Sequence, residues 1–118
     1  MKLLIVDDSN VIRRAIQRAI GEPDYEIRTA GNGAEAINVF DEFGPEVVTM
    51  DITMPEMDGL MCVDMILQRN PGTRILIISA LADASTAVEA VKRGAQGFLL
   101  KPFTAETLNT ELVELFRD

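Results

Sequence analysis

The sequence of 118 residues contains no histidine and only one cysteine, Cys62. The absence of histidine excludes His-based triads and most zinc sites, and it removes the usual general base of enzymes. A single cysteine cannot form an intramolecular disulfide. Because Cys62 lies on a predicted helix among apolar neighbours, we interpret it as a small buried hydrophobic residue.

Basic residues are also few, and they form no run in the sequence. The chain has 11 Lys and Arg residues against 19 Asp and Glu residues, which gives a net charge of -8. Such a field repels nucleic acids, so we expect no nucleic acid partner. The charge balance favours cationic partners instead, including a divalent metal ion.

Long hydrophobic runs are absent as well. The apolar run at residues 3–6 is stopped by Asp7 and Asp8, so it is too short for a signal peptide or a membrane span. We therefore expect a cytoplasmic protein without a membrane partner. The composition, 47% hydrophobic and 25% charged, is typical of globular proteins. Residues 1–118 are enough for one domain with its own hydrophobic core.

Strand and helix patterns alternate along the whole chain. Apolar runs and one alternating segment predict five strands, at residues 3–6, 25–29, 46–50, 74–78 and 97–100. A helix follows each strand; the predicted N-caps are Ser9 or Asn10, Asn32, Asp83 and Thr104, and the predicted stops include Gly21, Gly44 and Gly94.

This (βα)5 pattern predicts an α/β three-layer sandwich around a parallel sheet with right-handed crossovers. The segment at residues 25–29 is the least apolar strand, which favours a position at the sheet edge. The flavodoxin-like strand order 2-1-3-4-5 places it there and seats the first and third strands side by side.

Each apolar strand of the predicted sheet ends in polar residues. Asp7 and Asp8 follow the first strand, Asp51 the third, Ser79 the fourth and Lys101 the fifth. In a parallel sheet these ends share one edge. Two carboxylates ~4 Å apart repel each other by about 4 kcal/mol at an effective dielectric constant of ~20. Lys101 offsets part of this repulsion. A Mg²⁺ ion, which binds carboxylate and phosphate oxygens, would offset the repulsion that remains.

Asp51 is the predicted chemical centre of this edge. A carboxylate can attack a phosphoryl group as a nucleophile, and it needs no general base because it is already ionised. Lys101 and the metal would neutralise the oxygens of the transferring group, and the Ser79 hydroxyl would hydrogen-bond the product. The pattern therefore predicts phosphoryl chemistry at Asp51.

On these residues, the sequence resembles the receiver domains of two-component response regulators, in particular the single-domain chemotaxis type. The resemblance covers the whole chain. It rests on four motifs in the same order and spacing: Ile5-Val6-Asp7-Asp8-Ser9, residues 50–59 (Met-Asp-Ile-Thr-Met-Pro-Glu-Met-Asp-Gly), Ser79-Ala80, and Lys101-Pro102-Phe103.

The resemblance implies a phosphoacceptor and a metal site. Asp51 would accept the phosphoryl group. Asp7, Asp8 and Asp51, together with the backbone carbonyl of Thr53, would hold Mg²⁺, with Mn²⁺ as a possible substitute.

The resemblance also implies a readout. Ser79 and Lys101 would contact the phosphoryl group, and movement of Ser79 would leave space for the Phe98 ring to turn inward. The altered surface would be the one built from the fourth helix, fifth strand and fifth helix. Pro102 matches the position at which family members have a cis peptide bond after the lysine.

Three residues depart from the best-known chemotaxis regulators. Phe98 replaces a tyrosine, so no phenolic hydroxyl is available to a partner. Thr53 stands where asparagine is frequent. Leu81, which follows Ser79 and Ala80, stands where an acidic residue is found. Because Leu81 cannot orient a water molecule by hydrogen bonding, we expect slower self-dephosphorylation than in regulators with an acidic residue at this position.

The resemblance therefore implies a phosphorylation-controlled switch rather than an enzyme. Its partners would be a sensor histidine kinase or its phosphotransfer domain, and a downstream target such as the flagellar motor switch or another effector.

An alternative is a phosphohydrolase of the haloacid-dehalogenase type, which also forms an aspartyl phosphate. Against it, such enzymes need a second Asp two residues after the nucleophile, and here that residue is Thr53. FMN binding on the same fold is a third hypothesis, which the acidic Asp7 and Asp8 disfavour.

Two further patterns have both a structural and a functional interpretation. Met54, Met57, Met61 and Met65 recur at helical spacing, which favours packing in the core over a binding surface. Arg13, Arg14 and Arg18 fall on the solvent side of the first predicted helix, near the acidic strand ends, where they serve either as a docking surface for a kinase phosphotransfer domain or as a solvated face.

Overall fold

The computed structural model of the protein describes residues 1–20, 25–52, 59–80 and 84–117, with only the backbone described at residue 84. Five strands alternate with five helices in this part of the chain. Their bounds are β1 Lys2–Val6, α1 Asn10–Ile20, β2 Glu26–Ala30, α2 Gly33–Phe43, β3 Val47–Met50, α3 Gly59–Arg69, β4 Arg74–Ala80, α4 Ala84–Lys92, β5 Gly97–Lys101 and α5 Ala105–Glu114.

The five strands form one parallel sheet in the order β2-β1-β3-β4-β5, which confirms the predicted flavodoxin-like fold. The least apolar strand, β2, lies at an edge, and its side chains alternate between exposed and half-buried before Ala30. In contrast, all four residues of the central strand β3 are buried. Strand β3 lies between β1 and β4. The residues that follow β3 therefore lie in the middle of the row formed by the C-terminal ends of the strands.

Hydrophobic side chains fill both spaces between the sheet and the helices. On one side, α1 and α5 cover the sheet through Ile16, Leu108 and Leu112. On the other, α2, α3 and α4 cover it, and the buried Cys62 lies in this layer as predicted. Consecutive residues of β1 point to opposite layers, as pleated geometry requires. Full burial of each such aliphatic side chain contributes about 1.5–3 kcal/mol to folding.

The predicted helix caps are confirmed where the structure describes them. The Ser9 hydroxyl accepts a hydrogen bond from the Ile12 N–H (3.2 Å), and the Asn32 carboxamide oxygen accepts one from Glu35 N–H (2.8 Å). Thr104 forms a capping box with Thr107. The predicted cap Asp83 and the predicted stop Gly21 lie outside the described residues.

Three strands are longer than predicted: β1 begins one residue earlier, at Lys2, and two other strands extend further at their C-terminal ends. β4 continues to Ala80 and β5 to Lys101, because the parallel ladder pairs these two residues with each other. Ser79 and Lys101 are therefore held by the sheet itself and do not lie in the loops that follow it.

The packing prediction for the methionines is only partly correct. Met65 packs against the core, whereas Met61 is half exposed (51%). The buried face of α3 is formed by Gly59, Cys62, Val63 and Ile66, so a residue two positions after Gly59 points away from the sheet. Met54 and Met57 lie outside the described residues.

None of the helices in the described part of the chain combines the length and the apolarity that a membrane crossing needs.

Candidate functional site

Three carboxylates meet at the edge of the sheet where β1 and β3 end. One side-chain oxygen from each of Asp7, Asp8 and Asp51 lies within 4.8 Å of the others. Asp7 and Asp51 are buried, and Asp8 is exposed. Because β1 and β3 are neighbours, the Asp51 N–H donates to the Val6 carbonyl (2.9 Å) and extends the ladder by one bond. The strand order thus brings two distant parts of the sequence to one site.

Asp7 is held by four separate contacts. Its Oδ1 accepts the Ser9 N–H (2.9 Å), and its Oδ2 accepts the Lys101 ammonium (3.1 Å). Its own N–H donates to the Ala30 carbonyl (3.2 Å), and its carbonyl accepts from the Arg13 guanidinium (2.6 Å). A buried carboxylate needs such partners, because loss of hydration without replacement costs several kcal/mol.

Lys101 is the cation that the sheet supplies to this cluster. Its ion pair with Asp7 joins residues 94 positions apart in the sequence. The lysine side chain is 23% exposed, and that of Asp7 only 1%, so the pair is shielded from solvent on the Asp7 side. The peptide bond from Lys101 to Pro102 is cis. The pair partly offsets the repulsion among the three acids.

Ser79 carries a buried hydroxyl near the end of β4. Its residue is fully buried, and its Oγ has no hydrogen-bond partner among the described residues. A buried hydroxyl left in this state costs about 1–3 kcal/mol, so it calls for an explanation beyond folding. A ligand oxygen that arrives at the strand end would give the hydroxyl a partner.

Gly59 allows helix α3 to start directly against Asp51 and Ile52, the two residues that follow β3. An added Cβ would lie 2.3 Å from Ile52 Cα and 2.8 Å from the Asp51 carbonyl oxygen. The Gly59 N–H donates to the Ile52 carbonyl (3.2 Å). Only glycine leaves space for this approach. The contact holds the backbone at Ile52, the residue that follows Asp51.

The structure brings together four of the residues that the sequence singled out: Asp7, Asp8, Asp51 and Lys101. Ser79 lies one residue before Ala80, the register partner of Lys101, on the same edge of the sheet. Phe98 lies on β5 with 38% of its surface exposed, and Ala80 is also exposed. Thr53 and Leu81 lie outside the described residues.

One contact at the site was not predicted: the hydrogen bond from Arg13 to the carbonyl of Asp7. Arg13 was expected with Arg14 and Arg18 near the acidic strand ends, as this contact confirms, but on the solvent side of α1. It is half-buried instead, and its guanidinium turns back to the loop that carries Asp7. Helical periodicity places the Cα of Arg13 correctly but does not show where a long, flexible side chain ends. The donor set of the site suits a hard divalent cation, since three carboxylate oxygens converge at distances such an ion can bridge.

Comparison with known proteins agrees with this geometry. The family model of the response regulator receiver domain matches residues 3–113. The chain is 42% identical over 107 residues to a chemotaxis protein CheY of Listeria monocytogenes, with 90% of each chain covered.

Solved structures show the same fold. The receiver domain of NtrX from Brucella abortus superposes with a TM-score of 0.90 at 31% identity, with 96% of each chain covered. Chemotaxis protein CheY4 of Vibrio cholerae gives 0.89 at 32% identity, with 98% of each chain covered. The chain spans 26% of the longer NtrX chain. The chain therefore belongs to the family of response regulator receiver domains.

Proposed function

We propose that the protein is a phosphorylation-controlled switch of a two-component system of the chemotaxis type, acting in the cytoplasm as one receiver unit over residues 1–118. Asp51 accepts a phosphoryl group from a sensor histidine kinase or its phosphotransfer domain. One observation carries the proposal: three carboxylates converge within 4.8 Å beside an ammonium group, at the strand ends of a receiver fold. Such a concentration of charge is costly for folding alone.

The chemical step needs no proton acceptor on this chain. An ionised oxygen of Asp51 attacks the phosphorus, forms the new O–P bond and displaces the histidine nitrogen of the donor, so the N–P bond breaks. The leaving imidazole takes up a proton from solvent. Lys101, held by Asp7 at 3.1 Å, lies beside the acids and can neutralise an equatorial oxygen of the transferring group.

Asp7, Asp8 and Asp51 would hold Mg²⁺, or Mn²⁺ in its place, with the backbone carbonyl of Thr53 as a further ligand. When bound, the ion supplies charge neutralisation and orientation for the phosphoryl oxygens. The exposed carboxylate of Asp8 leaves one side of the site open to solvent and to the incoming donor.

The readout rests on Ser79 and Phe98. The buried Ser79 hydroxyl gains an acceptor once a phosphoryl oxygen is present at the strand end. Phe98 occupies the neighbouring strand, partly exposed, and the exposed Val88 and Val91 lie on α4 beside it. Movement of Ser79 makes space for the Phe98 ring and changes the surface formed by α4, β5 and α5. A downstream protein, the flagellar motor switch or another effector, would bind this surface.

The phosphoacceptor is tested with acetyl phosphate and Mg²⁺. We expect a single phosphoryl adduct in the intact mass of the wild-type chain, no adduct in Asp51→Asn, and no adduct after chelation of the metal. Glu42→Gln is the matched control, because it removes one exposed carboxylate from α2, away from the strand ends. An adduct that persists in Asp51→Asn contradicts the proposal.

The same preparation separates the switch from the phosphohydrolase. A switch takes up one phosphoryl group and releases it slowly, whereas a phosphohydrolase of the haloacid-dehalogenase type turns over repeatedly. We expect no sustained release of p-nitrophenol from p-nitrophenyl phosphate. Sustained release that is lost in Asp51→Asn favours the enzyme.

A further inference from the structure

Arg13 reaches from α1 back to the loop between β1 and α1. Its Nη1 donates to the Asp7 carbonyl oxygen at 2.6 Å, and its Nη2 donates to Asn10 Oδ1 at 3.1 Å. The first of these bonds is short, as expected for a charged donor. The guanidinium therefore binds the loop backbone at Asp7 and the side chain of Asn10, the first residue of α1, with a planar, rigid fork.

The bond to Asp7 acts on the peptide that links Asp7 to Asp8. The side chain of Asp7 is already held by the Ser9 N–H and by Lys101. Asp8 is exposed. The direction in which the Asp8 carboxylate leaves the backbone depends on the plane of that peptide, and Arg13 holds its carbonyl oxygen.

The guanidinium also packs against the neighbouring loop between β2 and α2. A Cβ added to Gly31 would lie 3.2 Å from Arg13 Nη1, which is tighter than ordinary contact. Gly31 is itself fixed, since its N–H donates to Glu35 Oε2 (3.3 Å). The Asp7 N–H donates to the Ala30 carbonyl in the same region. Arg13 is thus confined between the two loops.

We propose that Arg13 is a positioning residue of the metal site: it orients the peptide between Asp7 and Asp8 so that both carboxylates face one divalent ion. The inference rests on the proposed function, which assigns the ion to these acids. Arg13 itself touches neither the ion nor the phosphoryl group; it acts through the backbone of the two ligands.

The sign of the effect separates positioning from simple electrostatics. Arg13 is a cation close to a cation site, so loss of its charge alone tightens binding of a divalent ion. Loss of the orientation weakens binding instead. Supporting contacts of metal ligands contribute roughly 10- to 100-fold to affinity, which outweighs a partly screened charge at this half-buried position. Positioning thus predicts weaker binding in spite of the lost positive charge.

The test is binding of Mn²⁺ alone, measured from the EPR signal of the free ion, to wild type, Arg13→Gln and Arg14→Gln. We expect Arg13→Gln to raise the dissociation constant about tenfold or more. Arg14→Gln is the matched control: it removes the same charge from the next, exposed residue of α1, and we expect unchanged or slightly tighter binding. Measurement well below the unfolding temperature of each variant keeps loss of stability out of the result.

The outcomes distinguish this inference from the proposed function. If wild type binds no Mn²⁺, the metal site fails and the inference fails with it. If wild type binds and Arg13→Gln binds equally or more tightly, only the inference is wrong. If Arg13→Gln does not fold, Arg13→Lys replaces it, because that variant keeps the charge but loses the planar guanidinium. Positioning then predicts weaker Mn²⁺ binding, whereas a charge effect predicts unchanged Mn²⁺ binding.

A double-mutant cycle tests the contact with Gly31. Gly31→Ala pushes on Nη1 of Arg13, so we expect a smaller weakening of Mn²⁺ binding, of a few fold, in the wild-type background. In the Arg13→Gln background the same substitution meets no guanidinium, and we expect it to have no further effect. Additive effects of the two substitutions contradict the proposed role.

Discussion

At the scale of single residues, three buried hydroxyls have no hydrogen-bond partner among the described residues: those of Ser79, Thr49 and Thr73. Two of them, on Ser79 and Thr49, lie within strands of the sheet. Ser79 lies near the end of β4, beside the strand ends at which the phosphoryl group is proposed to bind. Thr49 lies in the middle of β3, opposite Ile5 on β1 and Leu76 on β4. The proposed phosphoryl site explains the hydroxyl of Ser79 but not that of Thr49.

The Thr49 hydroxyl should therefore reduce stability without serving the site. Thr49→Val keeps the shape of the side chain and removes the unpaired group, whose desolvation costs about 1–3 kcal/mol. We expect the free energy of unfolding to rise by about 1 kcal/mol or more. Urea unfolding of both proteins, with equal slopes, measures the difference.

Thr29→Val is the control for this substitution. Thr29 is half-buried on the edge strand β2, where its hydroxyl can reach solvent, so we expect little change in the free energy of unfolding. A Thr49→Val protein that is no more stable than wild type indicates that the Thr49 hydroxyl is satisfied. Labelling by acetyl phosphate should be unchanged in both variants.

At the scale of elements, the periodic parts of the fold could be predicted and the contacts between elements could not. Short apolar runs mark buried strands, and the polar residues that follow them mark the functional edge, because a parallel sheet aligns all its strand ends. The reach of Arg13 back to Asp7 depends on a side-chain rotamer, and the exposure of Met61 depends on the rotation of α3 about its axis. No pattern in the sequence shows either of them.

The start of α3 against β3 gives the sharpest test at this scale. Gly59→Ala places a methyl group 2.3 Å from Ile52 Cα, so the backbone that follows Asp51 must shift. We expect a loss of stability of about 1–3 kcal/mol, typical of overpacking, together with slower labelling of Asp51 by acetyl phosphate. Chemical unfolding and the initial rate of labelling measure the two effects.

Gly44→Ala provides the comparison at similar cost to stability. Gly44 caps α2 with a φ of 63°, and an added Cβ would meet no atom within 4 Å. The left-handed backbone alone costs about 1–2 kcal/mol for a residue with a side chain. We expect Gly44→Ala to label at the wild-type rate. Equal slowing in both variants would indicate a general loss of stability rather than a shift at Asp51.

At the scale of the whole molecule, the fold carries a net charge of -8 and gathers three of its acids at one point. The ends of the neighbouring strands β1 and β3 supply the acids, and the edge strand β5 supplies Lys101, so the site can form only when the sheet from β1 to β5 is assembled. Removal of the exposed charge of Asp8, which forms no ion pair with Lys101, should therefore stabilise the protein without metal and weaken its response to metal. Function and stability are opposed at this edge.

Asp8→Asn tests this opposition. Asp8 is exposed, so relief of its repulsion is screened by solvent, and we expect a gain of up to about 1 kcal/mol in EDTA. In wild type, saturation with Mg²⁺ should add about 2.7 kcal/mol at 100 times the dissociation constant, because the ion binds only the folded chain. Asp8→Asn should lose most of that increment.

Thermal unfolding in EDTA and in Mg²⁺ measures the gain in stability without metal and the stabilisation by the metal. Glu42→Gln, which removes a distant charge, is the control and should keep the full stabilisation by Mg²⁺. If the metal increment survives in Asp8→Asn, the ion is held without Asp8, and the three-carboxylate site is incorrect.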